Sequence, residues 1–482
     1  MSMNELVQLT ACEAVESLRK SEVCSSELID AALTRMDDTD GAVNAIPTRC
    51  AERARVNAHR LQESMPANPP PWYLYGLPIV VKDLSDVEGV RTTYGSTIFA
   101  DHIPTTSDIM VQTLERNGAI VLAKSATPEF GAGANTFNEV FGRTCNPWNT
   151  RMTPGGSSGG TAVALATGQI WLGTGSDLGG SLRIPASYCS IVGLRPTPGI
   201  VSAGPRPLPF DNLSVHGPMA RNVKDLALML DALSNPSRRD PLSRPKPSTS
   251  YTDALHMPTI PKRIAYSPDL GIVPVDPEVA TISEKAAHDF EALGATVEEA
   301  CPKLDDAEFI FQTLRAVQFA ATKSDLLQNH RHQLKPEIIW NIEKGLSLSG
   351  QEMAEAESKR GKLFKNVTDF FDVYDLLICP TVAVPPFDGA TRYVSAIGDH
   401  KFDNYVSWLA LSFAITLTSC PAISVPCGFN RDGLPIGLQL VAAPGSDARL
   451  LEAAFAFEQF HDFKHMVPIN PRPGNTNREP AP

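Results

Sequence analysis

The chain has 482 residues, of which 43% are hydrophobic and 20% charged, a composition that excludes a disordered or fibrous protein and allows a large folded core. Its net charge of -12 repels phosphate backbones and anionic lipid surfaces, so we expect a small-molecule substrate, with neither nucleic acid nor membrane as partner. No apolar stretch reaches the roughly 20 residues of a membrane span and no signal-peptide pattern opens the chain, which predicts a cytoplasmic protein.

The N-terminal third begins with a helical pattern and continues into a strand. We expect residues 1–65 to form an arm of two helices, with Ser26 as an N-cap before apolar residues at helical spacing. The run 77–81 is short, β-branched and continuous, as in a strand that is covered on both faces, and Lys82 follows it directly. The sequence therefore predicts a lysine at the end of a buried strand.

Between residues 118 and 181 the chain alternates elements in the manner of an α/β protein. A strand-like segment at 119–123 precedes a loop rich in Gly, Asn and Pro, and an Ala-rich helix is predicted over about 160–168. A second strand over 170–174 leads into another Gly-rich loop. This pattern predicts an α/β fold.

The middle of the chain contains a polar loop and a long helical segment. Residues 235–261 are rich in Pro and Ser and predict an exposed loop. Residues 300–372 are expected to be helical and to border the substrate pocket, with a capping box at Ser349 and Glu352. This segment has few obvious ionic anchors and several aromatic residues, which favours an apolar or aryl substrate group; the aromatic residues are Phe309, Phe311, Phe319 and Trp340.

The C-terminal part returns to strands. We expect strands over 376–379, 423–426 and 436–442, and Ser446 as the cap of a last helix. The Pro-rich tail, 470–482, is predicted to be disordered.

The nine cysteines are scattered and form no CxxC pair, so we expect reduced thiols. No internal repeat is visible, and the whole chain, 1–482, is predicted to be a single domain.

Two serines stand in dense clusters of glycine. The segments TPGGSSGGT (153–161) and GTGSDLGGS (173–181) each place a serine after paired glycines. Glycine allows backbone N–H groups to converge on one point, which creates an anion-binding nest beside the serine hydroxyl. Such an arrangement suits a nucleophile with an oxyanion hole.

Other interpretations of these segments are weaker. A flexible Gly/Ser loop does not explain why an apolar strand precedes the second cluster. Residues 155–159 match the G-x-S-x-G elbow of α/β-hydrolases, but no strand precedes them. A phosphate-binding loop would require Gly-Lys-Ser/Thr, and a dinucleotide fold a third glycine, and the sequence has neither at these positions.

Six segments together resemble the amidase-signature family, and the resemblance extends to about residue 460. They are GLPIVVKD (76–83), PGGSSGG (154–160), GSDLGGSLRIPA (175–186), GLRPT (193–197), PAISVP (421–426) and GLPIGLQL (433–440). The resemblance implies one α/β domain with a large mixed sheet flanked by helices, in which residues 70–230 form the catalytic core.

The resemblance also implies roles for individual residues. Ser181 is expected to be the nucleophile, Ser157 a proton relay that follows a cis peptide bond at Gly156, and Lys82 the base. The backbone N–H groups of three further residues are expected to form the oxyanion hole; they are Leu178, Gly179 and Gly180. The resemblance implies no cofactor and no metal.

The proposed chemistry is coherent in physical terms. A serine hydroxyl needs an adjacent base, and lysine acts as a base only when it is neutral. Lowering its pKa from about 10.4 to about 7 or 8 requires burial, which the end of strand 77–81 supplies. The histidines at 330 and 332 have no nearby third ligand and are expected to be solvated, whereas Asp177 and Arg183 are expected to brace the loop.

The substrate stays open at this stage. Leu178 stands where a threonine is common in the family, a departure that touches the pocket and leaves the expected catalytic residues intact. Simple amides, anilides, aryl esters and carbamates all suit the same acylation chemistry. Hydrolysis of carbamates would be a urethanase activity. The family also includes the glutamine-hydrolysing A-type component of a tRNA-dependent amidotransferase complex, which is the alternative function. A homodimer is left open.

Overall fold

Residues 1–461 and 463–474 are described by a computed structural model of the chain. In this part of the chain the strands form one eleven-stranded sheet and two small two-stranded sheets. The strands are β1 (Thr48–Arg49), β2 (Pro78–Lys82), β3 (Ile120–Ser125), β4 (Phe137–Asn138), β5 (Gly142–Arg143), β6 (Leu172–Asp177), β7 (Val192–Arg195), β8 (Val215–Ala220), β9 (Arg263–Tyr266), β10 (Thr296–Glu299), β11 (Leu376–Pro380), β12 (Ala396–Ile397), β13 (His400–Lys401), β14 (Ala422–Phe429) and β15 (Pro435–Val441).

Helices cover the large sheet. They are α1 (Met3–Gln8), α2 (Ala11–Arg19), α3 (Ser25–Val43), α4 (Ala51–Glu63), α5 (Ile109–Arg116), α6 (Gly159–Ala166), α7 (Arg183–Cys189), α8 (Val223–Leu233), α9 (Tyr251–Ala254), α10 (Pro277–Ala292), α11 (Ala307–His330), α12 (Pro336–Ser347), α13 (Gly350–Phe371), α14 (Ala410–Thr416) and α15 (Asp447–Phe460). Within the described residues, none of these helices has both the length and the apolar character needed to cross a membrane.

The large sheet is mixed, as the family resemblance implies. Its strand order is β1-β3-β2-β6-β8-β7-β14-β15-β11-β9-β10. The strands β3, β2 and β6 are parallel neighbours, whereas the central strands from β6 to β11 pair in antiparallel fashion. The central strands β2, β6, β7, β11 and β15 are almost wholly buried because helices lie over both faces. The predicted fold class, a large mixed sheet between helices, is confirmed.

The parallel pairing of β2 and β6 positions the candidate site. Ile79 lies opposite Leu172 and Val80 opposite Gly173, so both strands end at the same edge of the sheet. Ligand sites in such sheets lie outside the carboxyl ends of parallel strands. The predicted end of the second strand, at 174, was three residues short, and the strand continues to Asp177.

The N-terminal arm contains more helices than predicted. Residues 1–65 form four helices, and α3 begins at Ser25 with Cys24, not Ser26, at the N-cap position. The Glu27 carboxylate accepts a hydrogen bond from the Cys24 backbone N–H at 2.8 Å, which fixes that start. Two further capping boxes, at Ser2 and Thr10, begin the short helices that the apolar pattern alone did not separate.

The segment 235–261, predicted to be an exposed loop, consists mostly of exposed and half-buried residues, with a few buried residues among them. Asp240 is buried, and its carboxylate accepts hydrogen bonds from the backbone N–H groups of Ala203 and Leu242. Helix α9 lies inside the segment, with Tyr251 buried against the core. The polar residues of this loop thus satisfy backbone groups of the core.

The start of α13 and the C-terminal tail can also be compared with the sequence predictions. The capping box at Ser349 and Glu352 begins α13 as expected. In the predicted disordered tail, the Arg472 backbone N–H donates to the Pro147 carbonyl at 2.9 Å. Residues 470–474 therefore lie against the folded chain, and 475–482 lie outside the described residues.

Candidate active site

Lys82 is the last residue of β2 and is buried between the sheet and the serine-containing loops. Its side chain is 1% exposed. The backbone N–H of Lys82 donates to Thr174 Oγ1 at 3.1 Å, which ties the end of β2 to the neighbouring strand β6. The lysine therefore projects from a fixed point of the sheet edge.

Three serine hydroxyls surround the amine of Lys82. Its Nζ lies 2.7 Å from Ser157 Oγ, 2.8 Å from Ser158 Oγ and 3.1 Å from Ser176 Oγ. No carboxylate of the described residues forms an ion pair with it. Burial lowers the pKa of Lys82 to about 7, although the negative charge of Asp177 acts in the opposite direction. A neutral amine has two N–H donors and one lone pair, so three hydroxyl partners satisfy it.

The two glycine-flanked serines lie on loops that are bonded to each other. The peptide bond between Gly156 and Ser157 is cis, as the family resemblance implies. The backbone N–H of Ser158 donates to the Ser181 carbonyl at 3.2 Å. Helix α6 begins directly after the first loop and α7 directly after the second, so both loops are anchored by buried helices.

A buried ion cluster braces the loop that contains Ser181. The Asp177 carboxylate accepts hydrogen bonds from the N–H groups of Gly180 at 2.9 Å and Leu182 at 3.1 Å. It also pairs with Arg183 at 2.8 Å and Arg195 at 3.6 Å. Burial by itself would raise the pKa of Asp177, but the two guanidinium groups outweigh it and hold that pKa below its ordinary value. Asp177 and Arg183 thus brace the loop, in agreement with the sequence-based interpretation.

The three residues expected to supply oxyanion-hole donors are not equivalent. The N–H of Gly180 already donates to Asp177. Within the described part of the chain, the N–H groups of Leu178 and Gly179 have no acceptor. Gly180 has φ of +111°, and a side chain there would meet Ser412 Cβ at 2.6 Å, so only glycine fits. Two of the three predicted donors, the N–H groups of Leu178 and Gly179, are therefore free to bind an oxyanion. The third, the N–H of Gly180, already donates to Asp177.

Two cavities meet at Leu178. The smaller, of about 30 Å³, is lined by Gly179, Ser181, Phe311 and Arg315 among others. The larger, of about 570 Å³, is open to solvent and lined by aromatic, apolar and charged side chains; they include Ser176, Phe99, Phe130, His216, Phe319 and Lys323.

Helix α11 borders both cavities and supplies more charge than the sequence suggested. Of the four aromatic residues singled out in 300–372, Phe311 and Phe319 line the cavities. Phe309 instead packs under Lys359, and Trp340 packs edge-on against Tyr405. Two cations of α11 that the sequence analysis did not single out, Arg315 and Lys323, also face the cavities.

His216, which the sequence reasoning did not consider, also lines the larger cavity. It lies opposite Ser176 in the pairing of β8 with β6. Burial lowers the pKa of His216 to about 4, and repulsion from Arg206 and Lys82 adds to this effect. At neutral pH the imidazole is therefore uncharged and a weaker base than the Lys82 amine.

Two of the residues around Lys82 have no clear sequence signature. Ser158 and Ser176 stand in Gly/Ser-rich segments where any serine could have been chosen.

The histidines at 330 and 332 lie at the end of α11 and in the turn that follows. Among the residues that the structure describes, no three His, Cys, Asp or Glu side chains are grouped as metal ligands.

The chain is similar in sequence and fold to known amidases and to a component of an amidotransferase. A model of the Amidase family matches residues 27–451. The chain is 35% identical to an acylamidase of Rhodococcus erythropolis over 98% of this chain and 99% of that protein. It is 34% identical to the A component of the glutamyl-tRNA(Gln) amidotransferase of Moorella thermoacetica, over 96% of this chain and 99% of that one. A solved bacterial aryl acylamidase of the amidase-signature family matches with a TM-score of 0.88 and 27% identity, covering 96% of this chain and 99% of that one.

Proposed function

Because the chain belongs to the amidase-signature family and is a hydrolase of non-peptide carbon–nitrogen bonds in linear amides, we propose that it acts through an acyl-enzyme on Ser181. In this proposal Ser157 relays protons and Lys82 is the base. The observation that supports it best is the Lys82 amine, which is buried, bonded to hydroxyl groups only and has a pKa of about 7.

The proposed proton path extends the observed contact between Ser157 and Lys82 to Ser181. As Ser181 Oγ attacks the amide carbonyl, its proton passes to Ser157 Oγ while Ser157 gives its own proton to Lys82 Nζ, 2.7 Å away. The tetrahedral oxyanion accepts hydrogen bonds from the N–H groups of Leu178 and Gly179. Gly180 contributes by fixing the turn through Asp177.

The same relay then works in reverse. The Lys82 ammonium returns its proton through Ser157 to the leaving nitrogen, because an amine leaves only once it is protonated. The carbon–nitrogen bond breaks and Ser181 keeps the acyl group. Water next attacks the ester carbonyl and gives one proton to the relay, and Ser181 regains a proton as the acid departs.

The larger cavity supports an apolar or aryl group on the substrate. Phe99, Phe130 and Phe319 line it beside Leu178. We propose small to medium amides and anilides as substrates, in keeping with the acylamidase and aryl acylamidase relatives. Aryl esters and carbamates, the latter as urethanase substrates, belong to the same proposal because their carbonyl groups accept the same attack.

The net charge also bears on the partners. We propose a cytoplasmic enzyme of one domain that acts on a small molecule, with a homodimer as a possible assembly. A net charge of -12 disfavours binding to nucleic acid or an anionic membrane surface.

A partition experiment tests the acyl-enzyme. An amide, an anilide and an aryl ester that share one acyl group must give the same intermediate on Ser181. With hydroxylamine present as a competitor of water, we expect one ratio of hydroxamate to acid from all three substrates, whatever their individual rates. Product ratios measured by chromatography check this. A ratio that changed with the leaving group would mean direct attack by water and would contradict the proposal.

The pKa of Lys82 predicts the pH dependence of hydrolysis. The base must be neutral, so kcat/KM should rise with pH along a limb of apparent pKa near 7 and level off above it. The apparent pKa belongs to the coupled Lys82–Ser157 relay. Initial rates with a neutral anilide from pH 5.5 to 9.5, after checking enzyme stability at each pH, measure the limb. A profile that stays flat across this range would exclude Lys82 as the controlling base.

The alternative function is glutamine hydrolysis as the A-type component of a tRNA-dependent amidotransferase. The match to the Moorella thermoacetica protein over 96% of this chain supports it. Release of ammonia from free glutamine, or copurification with a second protein component, would favour this alternative. Hydrolysis of anilides by the isolated chain without glutaminase activity would favour a free-standing amidase.

A further inference from the structure

Arg315 is a buried cation beside the candidate nucleophile. It lies on α11, is 7% exposed and lines the small cavity together with Ser181 and Gly179. Among the described residues, no carboxylate forms an ion pair with Arg315. A buried guanidinium normally has an anionic partner, because taking an unpaired charge out of water costs several kcal/mol.

The protein groups that contact Arg315 are neutral. Its Nη2 donates to the Tyr405 hydroxyl at 2.6 Å, and its Nε donates to Asn341 Oδ1 at 3.3 Å. The guanidinium carbon lies 4.7 Å from the centre of the Phe319 ring. In the described structure Nη1 has no acceptor. The guanidinium is therefore held in a fixed orientation with part of its donor capacity unused.

The nearby carboxylates already have other partners. The Glu337 carboxylate pairs with Arg392 at 2.6 Å, and Glu308 accepts hydrogen bonds from Gln312 and Ser407. Lys335 is a second cation close to Arg315. Burial lowers the pKa of Lys335 to about 8, and the charge of Arg315 is among the smaller effects that lower it further. The carboxylates near Arg315 are therefore engaged by other groups, and none of them bonds to its guanidinium.

We propose that Arg315 binds a carboxylate at the distal end of the substrate's acyl group, so that preferred substrates are monoamides or monoanilides of short dicarboxylic acids. This inference rests on the proposed function. A planar carboxylate can pair with the flat guanidinium through two parallel hydrogen bonds, and it is small enough for an enclosed site. The small cavity, of about 30 Å³, holds no more than about two water-sized groups, so it suits the carboxylate itself and leaves little length for the chain between the carboxylate and the reacting carbonyl.

The two cavities separate the acyl group from the leaving group. Ser181 and the free N–H of Gly179 line the small cavity, which is the more enclosed of the two. The acyl group stays on the enzyme after the first step, whereas the amine must escape, and the wide cavity gives it a path to solvent. The acyl group, with its carboxylate, is therefore assigned to the side of Arg315.

A matched substrate pair tests the assignment. Succinic mono-4-nitroanilide carries the distal carboxylate, and the corresponding succinamide 4-nitroanilide replaces it with a neutral amide of the same shape. We expect the wild-type enzyme to prefer the anionic substrate in kcat/KM, and Arg315→Met to reduce that preference at least about 30-fold. Arg315→Lys should keep part of it. Malonyl and glutaryl anilides then locate the preferred chain length.

A control variant and an inhibition series separate binding from structure. Arg331→Met removes a cation from the turn that follows α11, where Arg331 pairs with Glu343 and lines neither cavity, and it should leave the substrate preference nearly unchanged. In the wild type, succinate should inhibit more strongly than butyrate, which has the reacting carboxylate but lacks the distal one. This measurement needs no variant, so it decides the question even if Arg315→Met fails to fold.

The outcomes distinguish this inference from the proposed function. Hydrolysis of the neutral anilide without preference for the anionic one, or equal inhibition by succinate and butyrate, would overturn the role of Arg315 and leave the amidase intact. An unchanged preference in folded Arg315→Met would do the same. Failure of the wild type to cleave any amide, ester or carbamate would instead overturn the proposed function.

Discussion

Ser181→Ala should reduce kcat by at least about a thousandfold, because it removes the hydroxyl that forms the acyl-enzyme in the proposed mechanism. Ser157→Ala and Lys82→Ala should each cause a loss of comparable size, since Ser157 Oγ lies 2.7 Å from Lys82 Nζ and both belong to one relay in the proposed mechanism. Steady-state kinetics with a chromogenic anilide measure these losses. Circular dichroism should show that each variant stays folded.

Combining these substitutions distinguishes a relay from three independent contributions. Once the relay is broken, a second break removes little more, so the triple variant should be about as slow as the worst single variant. Ser187→Ala is a suitable control, because Ser187 is as deeply buried as Ser157 but lies on α7 away from Lys82. Losses that multiplied across the triple variant, or near-normal turnover in Ser181→Ala, would contradict the mechanism.

The position of Lys82 could be predicted because it depends on local sequence. The β-branched run before it forms β2 within one residue of the predicted bounds, and the lysine lies at its end. What the sequence could not show is that β6, about ninety residues further on, becomes the parallel neighbour of β2. Strand pairing over such separations depends on the packing of the whole sheet and has no local signal.

The hydroxyl groups around Lys82 were predicted only in part. Ser157 followed from the family resemblance, whereas Ser158 and Ser176 did not. Ser176 lies within β6, and the predicted strand ended at 174 because Gly175 interrupts the apolar run. A glycine weakens a strand on average, but here Gly175 faces Leu182 and Ser158, and a side chain would collide with both.

Some errors were avoidable and others were not. The capping boxes that begin α1 and α2 are visible in the sequence as Ser2 with Glu5 and Thr10 with Glu13, so four helices could have been predicted in the arm. The buried environment of Arg315 could not have been predicted from the sequence. An arginine within a helix usually reaches solvent, and only the packing of α11 against α12 and the loop of Tyr405 shows that this one is buried.

The ion cluster below the Ser181 loop predicts a large loss of stability in Asp177→Asn. The substitution keeps the size of the side chain but removes the negative charge between Arg183 and Arg195, both fully buried. Breaking a buried pair leaves uncompensated charge, at a cost of about 3 to 5 kcal/mol in the free energy of unfolding. Urea unfolding followed by tryptophan fluorescence, together with thermal inactivation rates, measures this loss.

The same substitution in a surface ion pair provides the comparison. Asp30 pairs with Arg55 at 2.6 Å, but both side chains are more than 40% exposed, so Asp30→Asn should cost less than about 1 kcal/mol. Asp177→Asn should also slow hydrolysis at temperatures where it is folded, because the N–H groups of Gly180 and Leu182 lose the carboxylate that orients the turn around Ser181. If both variants unfolded at the same urea concentration, the arginines would have to be neutralised by other groups, and Asp177 would not be the residue that holds this loop.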